Sequence, residues 1–201
     1  EVKQNWLGFS RQGNSGTGIL IDADGGIGAV TVLGRSWNFG ENVSNNNGDG
    51  VNVSAKGSIA VSYLQAIHNY GPSGSIYGLK LINETGTGSV TLQNVELVSN
   101  QNGLKVSSNG AFTWNYGSAR DNSLAGAEIS NQFSGLVASP VKISNVDTSE
   151  NGLTGLSVSS KGTVTLTNIT SNNNSMNYIF LNYNEAWTDN MTNDQVWVFN
   201  G

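Results

Sequence analysis

The sequence predicts an all-β chain, a three-sided parallel β-solenoid of about six coils, and three observations predict it. A Gly-Leu-x-Val phrase recurs along the chain, a second alternating strand follows each copy about ten residues on, and Asn and Gly crowd the intervals. A recurring phrase of this kind means a stack in which each unit buries its apolar face only against its neighbours.

The first strand of a unit reads Gly50-Val51-Asn52-Val53, Gly78-Leu79-Lys80-Leu81, Gly103-Leu104-Lys105-Val106, Gly126-Ala127-Glu128-Ile129 and Gly155-Leu156-Ser157-Val158. Its anchor stands at Gly18, at those five glycines and, with Tyr178 in the glycine's place, before Ile179-Phe180-Leu181. The spacings are 32, 28, 25, 23, 29 and 23. The shortest suit a three-strand coil of about 23 residues, and the longer ones require loops inserted at turns. Gly50, Gly78, Gly103, Gly126 and Gly155 are expected at sharp turns with positive φ. The asparagines of the turns, Asn69, Asn100 and Asn151 among them, are expected to tolerate left-handed backbone and to stack, each amide bonding the one above.

The second strand alternates apolar and polar residues, as half-buried strands do. It reads Ser58-Ile59-Ala60-Val61, Ser89-Val90-Thr91-Leu92, Ala111-Phe112-Thr113-Trp114, Pro140-Val141-Lys142-Ile143 and Thr163-Val164-Thr165-Leu166. Phe112 and Trp114 take the places of Val90 and Leu92 and are expected in the core, with Tyr116 emerging at a corner. A third, shorter segment follows as Leu64-Gln65-Ala66-Ile67, Val95-Glu96-Leu97, Val146-Asp147-Thr148 and Ile169-Thr170-Ser171, leading into Asn69, Asn100, Asn151 and Asn172. Three strands per unit define a triangular coil, and six coils at about 4.8 Å each make a body roughly 30 Å long.

The Asn-Gly-Leu-x-Val-x-Ser-x-Gly and Gly-x-Val-x-Leu-x-Asn-Val phrases resemble the right-handed parallel β-helix of the pectate-lyase-like superfamily. They are more similar still to the Asn/Gly/Ser-rich β-helix repeats of large bacterial surface and secreted proteins. The resemblance covers residues 16–181. It implies right-handed coils, in keeping with the handedness of parallel crossovers, on a scaffold that hosts lyases, hydrolases, adhesins, tailspikes and passive stalks alike. Residues 1–15 and 182–201 lie off the repeat and are aromatic-rich, with Trp6 and Phe9 in one and Trp187, Val196, Trp197 and Phe199 in the other. A solenoid exposes backbone and core at both ends, so these segments are expected either to cap it or to dock onto the next copy.

Composition narrows the function. Only 11% of the residues are charged, so the surface is built from Asn, Ser, Thr and Gly. Six Lys and three Arg spread singly in a chain of net charge −5 offer no stripe for a phosphate backbone, and nucleic acid is set aside. No apolar run approaches the roughly 18 residues that span a bilayer, so no membrane insertion is expected. The absence of cysteine removes disulfide, thiolate and Cys-zinc chemistry. The uncharged polar surface, with a chain that starts at Glu1 and carries no leader, points to a processed extracellular or cell-surface piece. Sequons at Asn42, Asn52, Asn83, Asn168, Asn173 and Asn190 permit glycosylation without predicting it.

Catalytic candidates are few. The superfamily's polysaccharide hydrolases combine an Asn-x-Asp with an Asp-Asp pair, a Gly-His-Gly and an Arg-x-Lys, and the last three are missing here. The clustered calcium-binding Asp residues of its lyases are missing too. His68, the sole histidine, sits at a turn without flanking glycines and reads as a surface or ladder residue. Asp22 and Asp24 precede Gly25-Gly26 but lack the other ligand positions of a calcium loop, so they read as a turn and no metal or other cofactor is expected. Arg120 and Asp121 stand beside Asn122, and stacking brings Asp147 and Glu150 of the next coil toward them, which makes these four the best catalytic candidates. Tyr116, exposed at a corner, is a candidate for stacking on a sugar. The sequence points to a non-catalytic structural or adhesive solenoid, a subunit of a self-assembling surface fibre or a stalk segment, whose partners are further copies of itself, the flanking repeats of a longer chain, or glycans. The alternative is a polysaccharide-active lyase or hydrolase or a glycan-binding module on the same scaffold.

Overall fold

The computed structural model describes residues 13–34, 42–72, 75–132, 138–176, 179–182, 191–192 and 196–199, with backbone alone for Asn42 and for everything after Met176. Among them the regular elements are all β-strands. In chain order they are β1 (Ile19–Ala23), β2 (Val30–Leu33), β3 (Asn42–Ser44), β4 (Val51–Ala55), β5 (Ile59–Ser62), β6 (Gln65–Ile67), β7 (Tyr77–Asn83), β8 (Val90–Val98) and β9 (Asn102–Ser108). They continue as β10 (Phe112–Arg120), β11 (Ala127–Asn131), β12 (Val141–Asp147), β13 (Leu156–Ser160), β14 (Val164–Thr170), β15 (Ile179–Asn182), β16 (Met191–Thr192) and β17 (Val196–Phe199).

Every strand pair is parallel, and the strands form two long sheets, an arrangement compatible with a parallel β-solenoid. The Gly-Leu-x-Val strands stack in the order β1-β4-β7-β9-β11-β13-β15-β17. The second strands stack as β16-β14-β12-β10-β8-β5-β2, with β3 and β6 joined to β8 in the same sheet. Like residues meet like along the stack: Val51, Leu79, Leu104, Ala127 and Leu156 form one column, and Val53, Leu81, Val106, Ile129 and Val158 the next. All are buried and line a single core with Ile59, Val90, Phe112, Val141 and Val164 of the other sheet.

The second and third segments belong to one sheet. In β8, β10, β12 and β14 they run on as a single strand that turns at one left-handed residue, Asn94, Tyr116, Asn145 or Asn168. In the earlier coil the same corner is Tyr63, between β5 and β6. Left-handed backbone redirects the chain in one step and resets the alternation. Phe112 and Trp114 point inward as expected, and Tyr116 points out.

The glycine anchors are not at positive φ; the reason for glycine there is space. A Cβ on Gly50 would lie 2.6 Å from the Gly78 carbonyl oxygen and 2.8 Å from Asn69 Nδ2, and one on Gly78 would lie 2.7 Å from Asn100 Nδ2. Gly103, Gly126 and Gly155 are closed in the same way by Asn122, Asn151 and Asn174. The glycine column is the slot into which an asparagine ladder packs.

That ladder comprises Asn46, Asn69, Asn100, Asn122, Asn151 and Asn174, all buried. Each Nδ2 donates to the Oδ1 of the next, at 2.7, 2.8, 3.4, 2.9 and 3.0 Å, and each backbone N–H donates to the same Oδ1 at 2.9–3.2 Å. Asn69, Asn100 and Asn151 stack as expected, but the left-handed residue is the one before each, namely His68, Ser99 and Glu150. At the last described turn the ladder member is Asn174, and Asn172 precedes it by two residues.

Candidate functional site

Stacking does bring the four charged candidates together. β10 ends at Arg120, whose Nη1 donates to Asp121 Oδ2 at 2.9 Å. Asp121 and Glu150 fill the same left-handed corner on successive rungs. The hydrogen bond with Asp121, then that carboxylate's charge, holds the exposed Glu150 carboxyl above its usual range, opposed by Arg120. Asp147 lies on the same coil and accepts from the Ser149 N–H at 3.0 Å. The arrangement sets two carboxylates and a guanidinium at one exposed corner. Because Glu150's pKa is raised on folding, its contribution to stability is full below the ordinary glutamate pKa and fades as pH rises through the folded value. Asp121→Asn should return Glu150 to the ordinary carboxylate range in a side-chain NMR titration; an unchanged Glu150 would assign the shift to another cause.

The remaining candidates divide by location. Asp22 Oδ1 accepts the Asp24 N–H at 3.1 Å, closing the turn, and Asp24 Oδ2 accepts the hydroxyl of Ser54 in β4 at 2.5 Å, so both carboxylates are engaged. Among the described residues no three His, Cys, Asp or Glu side chains gather as a metal site would require. His68 is exposed, one residue before ladder Asn69. Tyr116 is 51% exposed at its corner. Asn83, one of the sequon asparagines, is buried with Nδ2 donating to the Gly57 and Gly88 carbonyls at 2.7 and 3.1 Å, which withdraws it from glycosylation in the folded chain. Trp6, Phe9 and Trp187 lie outside the described residues. Val196, Trp197 and Phe199 fall in β17, which adds to the first sheet by pairing with β15.

One cluster escaped sequence reasoning. The outward position of each Gly-Leu-x-Val strand stacks Asn52, Lys80, Lys105, Glu128 and Ser157 in one line. Lys105 Nζ lies 3.2 Å from Glu128 Oε2, and the same oxygen accepts the Tyr77 hydroxyl at 3.0 Å. The Tyr77 N–H in turn donates to Asp49 Oδ1 at 2.8 Å. Burial, with the Glu128 charge second, pushes the phenol up to about 12, so Tyr77 is a neutral donor that fixes Glu128. The opposed charges at one phrase position were the available signal; Tyr77, outside the phrase, gave none.

These features define the class: an all-β stack of parallel strands in two sheets, bound internally by an asparagine ladder. No protein-family model, curated protein or solved structure matches the chain.

Proposed function

We propose that the chain is a non-catalytic extracellular β-solenoid, right-handed and three-sided with about six coils, that serves as a subunit of a head-to-tail surface fibre or as a stalk segment of a longer chain. The observation that carries this reading is the first rung. Among the described residues β1 pairs with β4 and stands last in its sheet, so a further parallel strand has a template there. The core is only half covered at that rung, at Ile19, Ile21, Ala23, Val32 and Val43. Leu20, Ile27 and Leu33 are 69%, 89% and 49% exposed beside it. The sparse charge leaves little to repel a second copy. Such a contact is heterologous and propagates without closing.

The edge also supplies its test. Ile19 N–H donates to the Gly50 carbonyl at 2.9 Å, so strand alternation turns the Leu20 N–H away from β4, toward the outer side of the sheet. Leu20→Pro removes that donor and leaves the β1–β4 bonds in place. In negative-stain microscopy with light scattering, the unaltered chain should form fibres and the variant should remain monomeric. Dispersed wild-type particles at every concentration would sink the fibre and leave the stalk, and undiminished fibres in the variant would sink docking through β1. The stacking of Asp121 and Glu150 at one corner beside Arg120 favours a second reading, an enzyme acting on polysaccharide, which turnover of uronic or neutral glycans would reveal.

A further inference from the structure

Tyr63 and Tyr116 occupy one outward corner of the stack, in a column completed by Asn94, Asn145 and Asn168. All five have φ between 52° and 56°. Asparagine adopts this conformation readily, whereas a bulky side chain is disfavoured there. Making the turn therefore favours Asn, and does not account for either tyrosine. Packing does not account for them either, since the residues are 37% and 51% exposed. Strained residues that neither the turn nor the core requires point to a use at the surface.

Asn94 stands between the two rings, which places them two strand spacings apart, about 9–10 Å along the stack. That is comparable with two sugar units of an extended glycan. Beside the column runs an uncharged polar network. Asn168 Nδ2 donates to Asn145 Oδ1 at 3.0 Å, Asn145 Nδ2 and Ser144 Oγ donate to Asn115 Oδ1 at 3.2 and 2.8 Å, and Asn115 Nδ2 donates to Gln93 Oε1 at 3.3 Å. Tyrosine rings offer an apolar face to the C–H face of a pyranose, and fixed amides exchange hydrogen bonds with its hydroxyls. Charge selects among sugars: the column and its network are themselves uncharged, with Glu96, bonded to Gln65 Nε2 at 2.6 Å, and Asp147 along one side and Lys142 on the other. An acidic glycan would meet two flanking carboxylates against one lysine, and no cation within the track itself.

We propose that this corner is a binding track for a linear, neutral polysaccharide lying along the stack axis, with Tyr63 and Tyr116 stacking on alternate sugars and Asn94 reaching the one between. The track is independent of the stack's ends and serves a monomer or a fibre alike. The test is titration calorimetry of the full chain with neutral β-gluco-, β-xylo- and β-manno-hexasaccharides, and with oligogalacturonate as the charged comparison. At least one neutral hexasaccharide should bind saturably and oligogalacturonate should not. Tyr63→Asn and Tyr116→Asn should each weaken binding at least tenfold, and the double variant should abolish it. Asn is the residue this corner favours, so these variants should melt at or above the wild-type temperature. Failure of every neutral hexasaccharide to bind, undiminished binding by the double variant, or preferred binding of oligogalacturonate would overturn the proposal. A lowered melting temperature in the Asn variants would also overturn it, by making the rings structural.

Discussion

Asn122→Ala is expected to lower the unfolding free energy by about 3–5 kcal/mol, because it strips hydrogen bonds from buried partners that cannot reach water. Asn122 Oδ1 accepts the Asn100 N–H at 2.9 Å, and Asn122 Nδ2 donates to Asn151 Oδ1 at 2.9 Å and to the Leu97 carbonyl at 3.2 Å. The substitution orphans the Asn100 N–H, weakens the satisfaction of the Leu97 carbonyl and empties the slot against Gly103. Each buried group left unpaired costs about 1–3 kcal/mol. The ladder has a direction, every amide donating toward the C-terminal rung, so the damage is one-sided. Asn151 keeps its own bond to Asn174 Oδ1 at 2.9 Å. Urea unfolding should show the loss, and hydrogen exchange should speed up locally at the Asn100 amide while sparing that of Asn151. A loss under about 1 kcal/mol would mean that the ladder amides contribute far less than their burial implies.

Trp114→Ala is expected to cost about 3–5 kcal/mol, the range for truncating a fully buried large aromatic. The geometry makes the site unusual within the stack. Trp114 stands where the neighbouring coils place Leu92 and Ile143, and Gly117 stands where they place Val95 and Val146. A Cβ on Gly117 would lie 2.8 Å from Trp114 Nε1. The indole therefore fills the volume that a valine holds one rung away, and removing it leaves a cavity with no side chain at 117 to collapse into it. Gly117 also has φ 154°, beyond the ordinary reach of a β-branched residue. Among the described residues, Trp114 Nε1 is buried and has no hydrogen-bond partner. Trp114→Phe should therefore cost only about 1–2 kcal/mol, since it trades ring volume for the removal of that unpaired donor. Urea midpoints would separate the two variants, and a Phe variant as unstable as the Ala variant would refute the compensation.

Much of this architecture was legible in particular residues. Gly-Leu-x-Val at varying intervals announced strands that stack, and the structure pairs Leu79 with Leu104 and Val106 with Ile129 in that register. A parallel in-register stack repeats one environment per rung, so each rung selects similar residues and the repeat is written in the chain. The charged corner was legible for the same reason: Asp121 and Glu150 precede ladder asparagines Asn122 and Asn151, and equal phase places them together. Less legible was anything that depended on what faces a residue across the coil. Glycine after an asparagine turn suggested positive φ by local reasoning, yet local reasoning contains no neighbouring amide to exclude a Cβ.

The sequence by itself determined the all-β stack, its strand register, the inward placement of Phe112 and Trp114, and a surface poor in charge, because these follow from alternation and repetition along the chain. Only the tertiary structure decided that the second and third segments share one sheet, that the ladder runs through Asn46, Asn122 and Asn174 as well, and that Tyr77 reaches Glu128 across the stack. It also decided that Gly117 makes room for Trp114 and that Tyr63 and Tyr116 share a corner. The physical reason is the same throughout: these are contacts between residues some three to fifty positions apart, set by steric exclusion and hydrogen-bond satisfaction across rungs and faces, and no local pattern encodes the partner.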